Sequence, residues 1–567
     1  MHRLRSVSIL AALAIALVAG EAAFAQRAPA KRLPLKRRAT RTMAAITATD
    51  LMSRLYVFAD DSMQGREAGS EGHAKATTYI AAQLERLHVE PAGDSGTYFQ
   101  SIPLISRTFK KSSTITIGSG MYNAFADFVA LPFRGAAPRK IENTQTVYGG
   151  VWGDSTRQIS ASQAQGRFVV LQAPDGLTRI PPNSALSGAA AVAVVGGDMM
   201  TAAQMVQGRT PSYALPAPPN APTTPVILVV TPLMAQRLLG APLESLTVAT
   251  IGTTITGELE YDEKPAPTRN VIGIIRGSDS LLANEYVALG AHSDHLGYRI
   301  AGPLDHDSLH AFNAQRYRIM DNPSGAPLTP EARAERDARI AAIRVDVNAL
   351  HRRRPARRDS IFNGADDDGS GTVTLLEVAE AFAKAKAKPR RSLLFVWHTA
   401  EEKGLLGSRW YSDHPTVPLD SIVAQINLDM VGRGAAPDLP AGSERYLMVV
   451  GSRRLSTELG DLAETVNRSS PQPFTLDYAY DANGHPENIY CRSDHYNYAR
   501  FGIPIVFLTT GLHGDYHQVT DEPQYIDYPK MARIGQLAFA LAGRVAALDH
   551  RPVVDKPRPD PLASCRQ

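Results

Sequence analysis

Cysteine is scarce in this sequence. Among 567 residues only Cys491 and Cys565 are cysteines, so the chain can form at most one internal disulfide. A scaffold held together by several disulfides and a structural zinc module built from cysteine thiolates are therefore both excluded. The sequence leaves open whether these two cysteines pair, because a free thiol near a loose chain end is an equal alternative.

An excess of charge of one sign is also absent. Lys and Arg number 60 against 56 Asp and Glu, which gives a formal net charge of +4. So small an imbalance gives no reason to expect a nucleic-acid partner or a charged membrane surface. With 44% hydrophobic and 20% charged residues the composition is typical of a globular protein. The length fits two or three domains.

Long hydrophobic runs are missing beyond the first residues, so no membrane anchor is expected. At the start, Arg3 and Arg5 precede a short apolar run over 7–20 and a small-residue A-F-A at 23–25. This pattern predicts a signal peptide over 1–25, cleaved after Ala25, and a periplasmic or secreted product. No cysteine follows the cleavage point to carry a lipid, and the basic residues 26–45 predict a linker.

Two widespread catalytic motifs are missing as well. The sequence contains no GxxxxGK[ST] phosphate loop and no GxSxG nucleophile elbow. A P-loop nucleotide hydrolase and a serine hydrolase with a nucleophile elbow are therefore not indicated.

Changes of residue pattern divide the chain into segments. Amphipathic helices over 46–104 are predicted to begin a catalytic domain that resumes over 263–548. Between them, residues 105–262 hold short β-branched runs separated by turn residues, which predicts an inserted β-rich domain. A charged stretch of helical periodicity at 299–360 predicts a surface insertion, and the Pro-rich residues 549–567 predict a flexible tail.

The catalytic segment alternates strands with helices, which predicts an α/β fold. Its apolar runs are continuous rather than alternating, as expected for strands that are buried on both faces. The predicted strands are Tyr286–Gly290, Leu393–Trp397, Ile422–Leu428 and Ile505–Leu508.

Polar side chains cluster directly after these strands, where open α/β sheets place their chemistry. An acidic triplet at 366–368 precedes the main predicted helix. The polar residues after the strands are His292, Asp294, Glu401, Glu402, Asp429 and His517.

Histidines and carboxylates without cysteine are typical ligands of zinc, manganese or cobalt in a catalytic site. Two ions that share one carboxylate, each binding a histidine and a second carboxylate, would use five ligands, which is more than one catalytic zinc takes from a protein. The set therefore favours two ions with a shared water. Adjacent side chains of a strand point in opposite directions, so Glu402 as a ligand leaves Glu401 as general base. Asp294 is placed to hold the other ring N–H of His292.

Five motifs in order resemble one family. AHSDHLG, GADDDGSG, TAEEKGLLGS, NLDMVGR and YHQVTDEP are similar to the co-catalytic zinc aminopeptidase family typified by bacterial leucyl aminopeptidases, which includes glutamate carboxypeptidase-like metallopeptidases. The resemblance implies a zinc-exopeptidase-like α/β fold, with a mixed, mostly parallel sheet flanked by helices. The insertion, with GRFVVLQ and SGAAAVAVVGG, resembles a protease-associated domain.

The resemblance also implies two zinc ions per chain that share Asp367, with manganese or cobalt as substitutes. His292 and Asp429 would complete one site, and Glu402 and His517 the other.

By the same resemblance, Glu401 would activate a metal-bridging water and Asp294 would orient a histidine. Tyr516 would stabilise the oxyanion, although a packing role is an even alternative. The chain departs from the family in having Asp368 where many members have Asn and in the insertion at 299–360.

The predicted function is an exported metallopeptidase, an aminopeptidase acting on peptides or small proteins. A carboxypeptidase and a glutaminyl cyclase stay open within the same fold, as does a receptor-like protein without activity. Residues 366–377 also fit a calcium-binding EF-hand loop, which a preceding Asn-Gly and Pro355 disfavour. The preferred terminal residue and the oligomeric state are not indicated by the sequence.

Overall fold

The computed structural model describes residues 33–131, 139–154, 156–173, 184–197, 201–216, 225–353, 355–563 and 565–567. The predicted signal peptide, residues 1–25, lies outside these ranges. None of the helices within the described ranges combines the length and the hydrophobicity needed to cross a bilayer.

The strands are numbered in chain order. They are β1 (Glu90–Pro91), β2 (Phe99–Ile102), β3 (Ile105–Phe109), β4 (Thr114–Ile117), β5 (Gly120–Asn123), β6 (Phe128–Ala130), β7 (Arg139–Val151), β8 (Phe168–Gln172), β9 (Ala191–Val195), β10 (Ser212–Ala214), β11 (Val226–Val230), β12 (Ile251–Leu259), β13 (Tyr261–Pro265), β14 (Thr268–Ile275), β15 (Tyr286–His292), β16 (Gly297–Tyr298), β17 (Leu304–Asp305), β18 (Arg358–Asp359), β19 (Ile361–Phe362), β20 (Ser392–His398), β21 (Ile422–Leu428), β22 (Tyr446–Val450), β23 (Thr475–Asp477) and β24 (Ile505–Thr509).

The α-helices are numbered in the same way. They are α1 (Ala48–Phe58), α2 (Glu71–Arg86), α3 (Ala161–Ala164), α4 (Ala202–Arg209), α5 (Pro232–Leu239), α6 (His306–Met320), α7 (Pro330–Ala341), α8 (Val347–Arg353), α9 (Gly371–Ala383), α10 (Leu406–Asp413), α11 (Thr457–Arg468), α12 (His495–Ala499) and α13 (Tyr528–Ala546).

The largest sheet, the catalytic sheet, has the strand order β1-β14-β20-β15-β21-β24-β22-β23, with β2 also paired to β14. Its centre is parallel, because β15 pairs in parallel with β20 and β21, and β21 with β24. Towards the edges, β14 pairs antiparallel with β20 and β22 antiparallel with β24. The sheet is therefore mixed, and the parallel pairing that the sequence predicts is confined mainly to its centre.

The four strands predicted from the sequence are the central strands β15, β20, β21 and β24, and every residue of each is buried. Alternate residues face opposite layers, so Val287 and Leu289 pack on one side and Ala288 on the other. Helices α1, α2, α9, α11 and α13 share the first core, and α10 and α12 the second. Each large apolar side chain buried in this way contributes about 1.5–3 kcal/mol.

A second sheet is built from residues between 114 and 259, in the order β5-β4-β12-β7-β8-β9-β11-β6. It has apolar clusters of its own, with helix α5 packed against one face. A smaller sheet, β10-β3-β13, stands beside it. The β-rich character predicted for this region agrees with these strands, while its exact domain limits stay a prediction.

The chain end is held rather than loose. Cys491 and Cys565 form a disulfide with their Cα atoms 5.7 Å apart. The Gln567 side chain accepts a hydrogen bond from the backbone N–H of Tyr490 at 3.0 Å and donates one to the carbonyl of Ala482 at 3.0 Å. The disulfide and these bonds hold residues 565–567, and the flexibility expected for the rest of 549–567 stays a prediction.

Candidate active site

The carboxyl ends of the four central strands meet at one edge of the catalytic sheet. His292 ends β15, Glu401 and Glu402 follow β20, Asp429 follows β21, and His517 lies in the loop after β24. Because these strands run in parallel, their ends lie side by side. The structure therefore brings together the side chains that the sequence places after separate strands.

One donor group consists of His292, Asp367 and Asp429. The Nε2 atom of His292 lies 3.1 Å from Asp367 Oδ1 and 3.7 Å from Asp429 Oδ1. Its Nδ1 atom lies 3.1 Å from the carbonyl oxygen of Asp294 and must donate a proton to it, so in the neutral ring Nε2 carries a lone pair. Nε2 is buried and faces these two carboxylates, so a cation between them would take the place of a ring proton at Nε2.

A second donor group uses the other oxygen of Asp367. Nε2 of His517 lies 3.1 Å from Asp367 Oδ2 and 3.0 Å from Glu402 Oε2. Asp367 thus faces both groups, one with each carboxylate oxygen. Such sharing is the arrangement expected of a carboxylate that bridges two metal ions.

His295, which sequence reasoning missed, lies beside the second group. Its Nδ1 atom is 2.7 Å from Glu402 Oε1 and 3.8 Å from Asp367 Oδ2, and the side chain is fully buried. The sequence feature that could have identified His295 is its position three residues after His292 in the motif AHSDHLG. The second group therefore offers two histidines, His295 and His517, where the sequence predicted one.

In the acidic triplet the middle carboxylate has a different role from the outer two. Asp366 and Asp368 accept backbone N–H groups, from Gly432 at 2.6 Å and Gly371 at 2.8 Å respectively. Only the middle residue, Asp367, faces the histidines of the two donor groups. The triplet lies in a turn that leads into α9, with non-helical backbone angles at Asp367 and Asp368, and strand β19 rather than a helix precedes it. This arrangement does not match an EF-hand, in which a helix enters the loop.

A tight turn precedes the triplet at Gly364. Its φ is +51°, and a Cβ at this position would lie 2.2 Å from the carbonyl oxygen of Asp367. Only glycine fits a left-handed residue in such close contact with the backbone.

Neighbouring groups hold Glu401, His292 and Asp429 in place. The backbone N–H of Glu401 donates to Asp294 Oδ1 at 3.0 Å. The carboxylate of Asp294 lies 3.8 Å from His292 Nδ1, so its carbonyl, and not the predicted carboxylate, is the hydrogen-bond acceptor. Ser493 donates to Asp429 Oδ2 at 2.6 Å, a contact that sequence reasoning did not assign. The role of Asp294 in orienting His292 stays a prediction.

Burial and mutual repulsion set the protonation of the cluster. Burial, together with the carboxylates of Glu402 and Asp429, raises the pKa of Glu401 well above its ordinary value. Burial alone would lower the pKa of His292, but Asp429 and Glu401 raise it well above its usual range. A group of carboxylates this crowded is stabilised by added positive charge.

Tyr516 lies at the rim of the cluster. Its hydroxyl accepts a hydrogen bond from Arg492 Nη2 at 3.2 Å, and its ring stacks on His517 with centroids 3.8 Å apart. Burial, followed by the nearby Asp367 carboxylate, raises its pKa well above the ordinary value, so the phenol keeps its proton. The hydroxyl is therefore available as a hydrogen-bond donor.

A small cavity of about 50 Å³ extends from the carboxylates between apolar side chains. Glu401, Asp429 and Tyr516 stand at its polar end. The rest of the wall is largely apolar and includes Met430, Met448, Ile489, Phe507 and Leu512.

Arg66 connects the loop after β15 with the loop that leads into the acidic triplet. It is fully buried and donates to the carbonyl oxygens of Ser293 at 3.2 Å, Asn363 at 2.6 Å and Gly364 at 2.8 Å, as well as to that of Phe58 at 3.2 Å. Burial lowers its pKa to about 10, which leaves it charged at neutral pH. One side chain therefore fixes the loop after β15 relative to the acidic triplet.

Replacing Arg66 with methionine is expected to lower the free energy of unfolding by about 3 kcal/mol or more, because several buried carbonyls lose their donor. Denaturant unfolding measures this effect. The matched control is Arg409→Met, since Arg409 is 56% exposed at its side chain and is expected to change stability by about 0.5 kcal/mol or less. Equal effects of the two substitutions would contradict the supporting role of Arg66.

Two curated relatives are similar to part of this chain. The chain is 30% identical over 194 residues to leucine aminopeptidase 1 of Ajellomyces dermatitidis, which covers 33% of this chain and 48% of the relative. It is 28% identical over 196 residues to leucine aminopeptidase 1 of Pyrenophora tritici-repentis, covering 32% and 46%. The chain thus spans about half the length of these curated relatives.

A solved structure with a similar fold is the aminopeptidase of Aneurinibacillus sp. strain AM-1. The TM-score is 0.50 at 17% sequence identity, and the match covers 90% of this chain and 97% of that one. This likeness concerns the fold. The sequence model of peptidase family M28 matches residues 270–542, a range that holds the donor residues described above. Over residues 270–542 the chain is therefore similar to peptidase family M28.

Proposed function

We propose that this chain is an exported, zinc-dependent aminopeptidase. The observation that carries the proposal is that two histidine–carboxylate groups share Asp367 beside Glu401, at the mouth of an apolar cavity. The names of the relatives and the M28 match support the same reaction class.

His292 and Asp429 would hold one zinc ion, Glu402 and His517 the other, and Asp367 would bridge them. When bound, the ions would lower the pKa of a water molecule and polarise the scissile carbonyl. Their positive charge would also offset the repulsion among the buried carboxylates.

The chain's own residues then move the proton and stabilise charge. Glu401, whose backbone is held by Asp294, would accept a proton from the attacking water and return it to the departing amine. Tyr516, protonated and steadied by Arg492, would donate a hydrogen bond to the oxyanion that forms at the carbonyl.

The polar end of the cavity favours binding of a free amine. Asp429 would be a zinc ligand, which leaves Glu401 as the free carboxylate of the lining; Glu401 would attract an ammonium group and repel a substrate carboxylate. The guanidinium that lines the cavity, that of Arg492, already pairs with Glu487 at 2.9 Å and donates to Tyr516. An amino terminus is therefore the better fit than a carboxyl terminus.

This orientation is tested by comparing peptides that differ only in their blocked end. The proposal predicts hydrolysis when the carboxyl end is amidated and loss of hydrolysis when the amino end is acetylated. The opposite pattern would identify a carboxypeptidase. Conversion of an N-terminal glutamine to its cyclic form, with no residue released, would identify a cyclase.

The apolar wall of the cavity predicts a preference for large apolar N-terminal side chains. Replacing Ile489 with alanine would enlarge the cavity, so the ratio of kcat/KM for phenylalanyl over leucyl anilide is expected to rise about tenfold. The control is Ile503→Ala, since Ile503 belongs to the same apolar core without lining the cavity. An unchanged ratio in Ile489→Ala would contradict the assignment of the cavity.

Export is supported by the signal-peptide pattern at residues 1–25 and by the disulfide between Cys491 and Cys565. Disulfides persist in oxidising compartments, which include the periplasm and the medium. In the same proposal, the inserted sheet at 105–262 is a protease-associated domain, with a parallel run of β7, β8, β9 and β11 at its core.

A further inference from the structure

A third histidine–carboxylate cluster lies outside the active site. It consists of His306 at the start of α6, Asp359 at the end of β18, and Glu522 in the loop that follows His517. One ligand atom of each residue lies within 4.8 Å of the others. His306 and Asp359 belong to the insertion at 299–360, so the cluster joins the insertion to the catalytic domain.

His306 has the orientation of a metal ligand. Its side chain is fully buried, and its Nδ1 atom lies 3.3 Å from Asp307 Oδ1. A carboxylate at one ring nitrogen sets the proton there and leaves a lone pair on the other, as metal-bound histidines commonly show. That other nitrogen, Nε2, has no hydrogen-bond partner and lies 3.5 Å from Glu522 Oε1, which is long for a hydrogen bond.

The charged groups near His306 favour the binding of a cation. Glu522 Oε1, the oxygen that faces His306, lies 2.8 Å from Arg357 Nη1. A carboxylate oxygen has two lone pairs, so Oε1 can contact a metal ion as well as the guanidinium. The carboxylates of Asp359 and Glu522 against one guanidinium leave a negative charge beside a histidine lone pair, an arrangement that a divalent ion would stabilise.

We propose that His306, Asp359 and Glu522 bind a third zinc ion, with water completing its coordination. One nitrogen and two carboxylate oxygens form a donor set typical of zinc. The site goes beyond the proposed peptidase function, and it uses none of the residues that bind or react at the active site.

The ion would fasten α6 to the loop that carries His517. Two contacts already join these segments: His310 Nδ1 lies 2.9 Å from Asp515 Oδ2, and Asn313 donates to Thr520 at 3.4 Å. The zinc ion would therefore stabilise the insertion on the catalytic domain, which gives the insertion a structural purpose.

The experiment is zinc analysis of the purified full chain, equilibrated in a buffer of fixed free zinc. His306→Gln and Asp359→Asn are each expected to hold one zinc ion per chain fewer than the wild type, with a lower thermal midpoint. Asp359 is only partly buried, so its substitution tests the site even if His306→Gln fails to fold. The control is His351→Gln, because His351 pairs with Asp305 within the same insertion and lies outside the cluster.

A zinc content equal to that of the wild type in folded Asp359→Asn would overturn the site. The Asp367→Asn variant separates this result from the proposed function, since it removes the shared active-site ligand. If Asp367→Asn loses zinc and Asp359→Asn does not, the third site fails and the peptidase centre stands. If Asp359→Asn loses one ion and Asp367→Asn none, the third site stands and the peptidase centre fails.

Discussion

Replacing Glu401 with glutamine is expected to lower kcat by about 10²–10⁴-fold, the usual contribution of a general base. Glutamine keeps the size of the side chain but cannot accept a proton from water. The zinc content is expected to stay at the wild-type value, because Glu401 belongs to neither donor group. Steady-state kinetics on a leucyl anilide, together with metal analysis of the same sample, measure both quantities.

The adjacent residue provides the control. Glu402 lies 3.0 Å from His517 Nε2, so Glu402→Gln is expected to weaken zinc binding as well as activity. Added zinc should then recover part of the activity of Glu402→Gln and none of that of Glu401→Gln. Turnover near the wild-type rate in Glu401→Gln would contradict the assignment of Glu401 as the general base.

Replacing Asp367 with asparagine is expected to remove zinc from both donor groups at once. The carboxylate presents one oxygen to His292 and the other to His517, and an amide offers only one oxygen. Loss of the ions withdraws several kcal/mol of transition-state stabilisation, so kcat/KM is expected to fall about a thousandfold or more. Metal analysis and anilide hydrolysis measure the two effects.

The Asp368→Asn variant distinguishes the loss of the shared metal ligand from general damage to the turn at 366–368. Its carboxylate accepts backbone N–H groups of His292 at 3.0 Å and Gly371 at 2.8 Å and faces neither histidine nitrogen. Asp368→Asn is therefore expected to lower stability by about 1–3 kcal/mol while zinc stays bound. If Asp367→Asn retained the full zinc content, a bridging role for Asp367 would be contradicted.

The sequence predicted the centre of the fold because its signals there are local. The apolar runs at Ile422–Leu428 and the neighbouring segments are too long and too continuous for half-exposed strands, and they became the buried strands β15, β20, β21 and β24. Polar residues after parallel strands must meet at one edge, so the convergence of His292, Asp429 and Glu402 followed from topology.

Features that depend on tertiary packing were harder to predict. His295 lies only three residues beyond His292, yet its distance from Glu402 depends on how two loops fold over each other. Arg66 looks like a surface residue in sequence and becomes a buried donor only because two loops turn their carbonyls towards it. The use of the Asp294 carbonyl rather than its carboxylate is likewise a matter of loop geometry.

The chain end and the insertion show the same limit. Pro-rich composition at 549–567 favoured a loose tail, but pairing of Cys565 with Cys491 joins residues 74 apart in sequence. The charged helical pattern of 299–360 predicted a surface insertion, and no local signal indicated that His306 would approach Glu522. Long-range pairs of this kind need the folded structure.

The central claim is that a metal pair in the His292–Asp367–His517 cluster performs N-terminal hydrolysis. The most direct test measures chromophore release from a leucyl anilide, together with bound zinc, before chelation, after chelation and after zinc is restored. The account predicts that release is lost with the zinc and returns with it. Release that continues at the same rate in zinc-free protein would contradict the account.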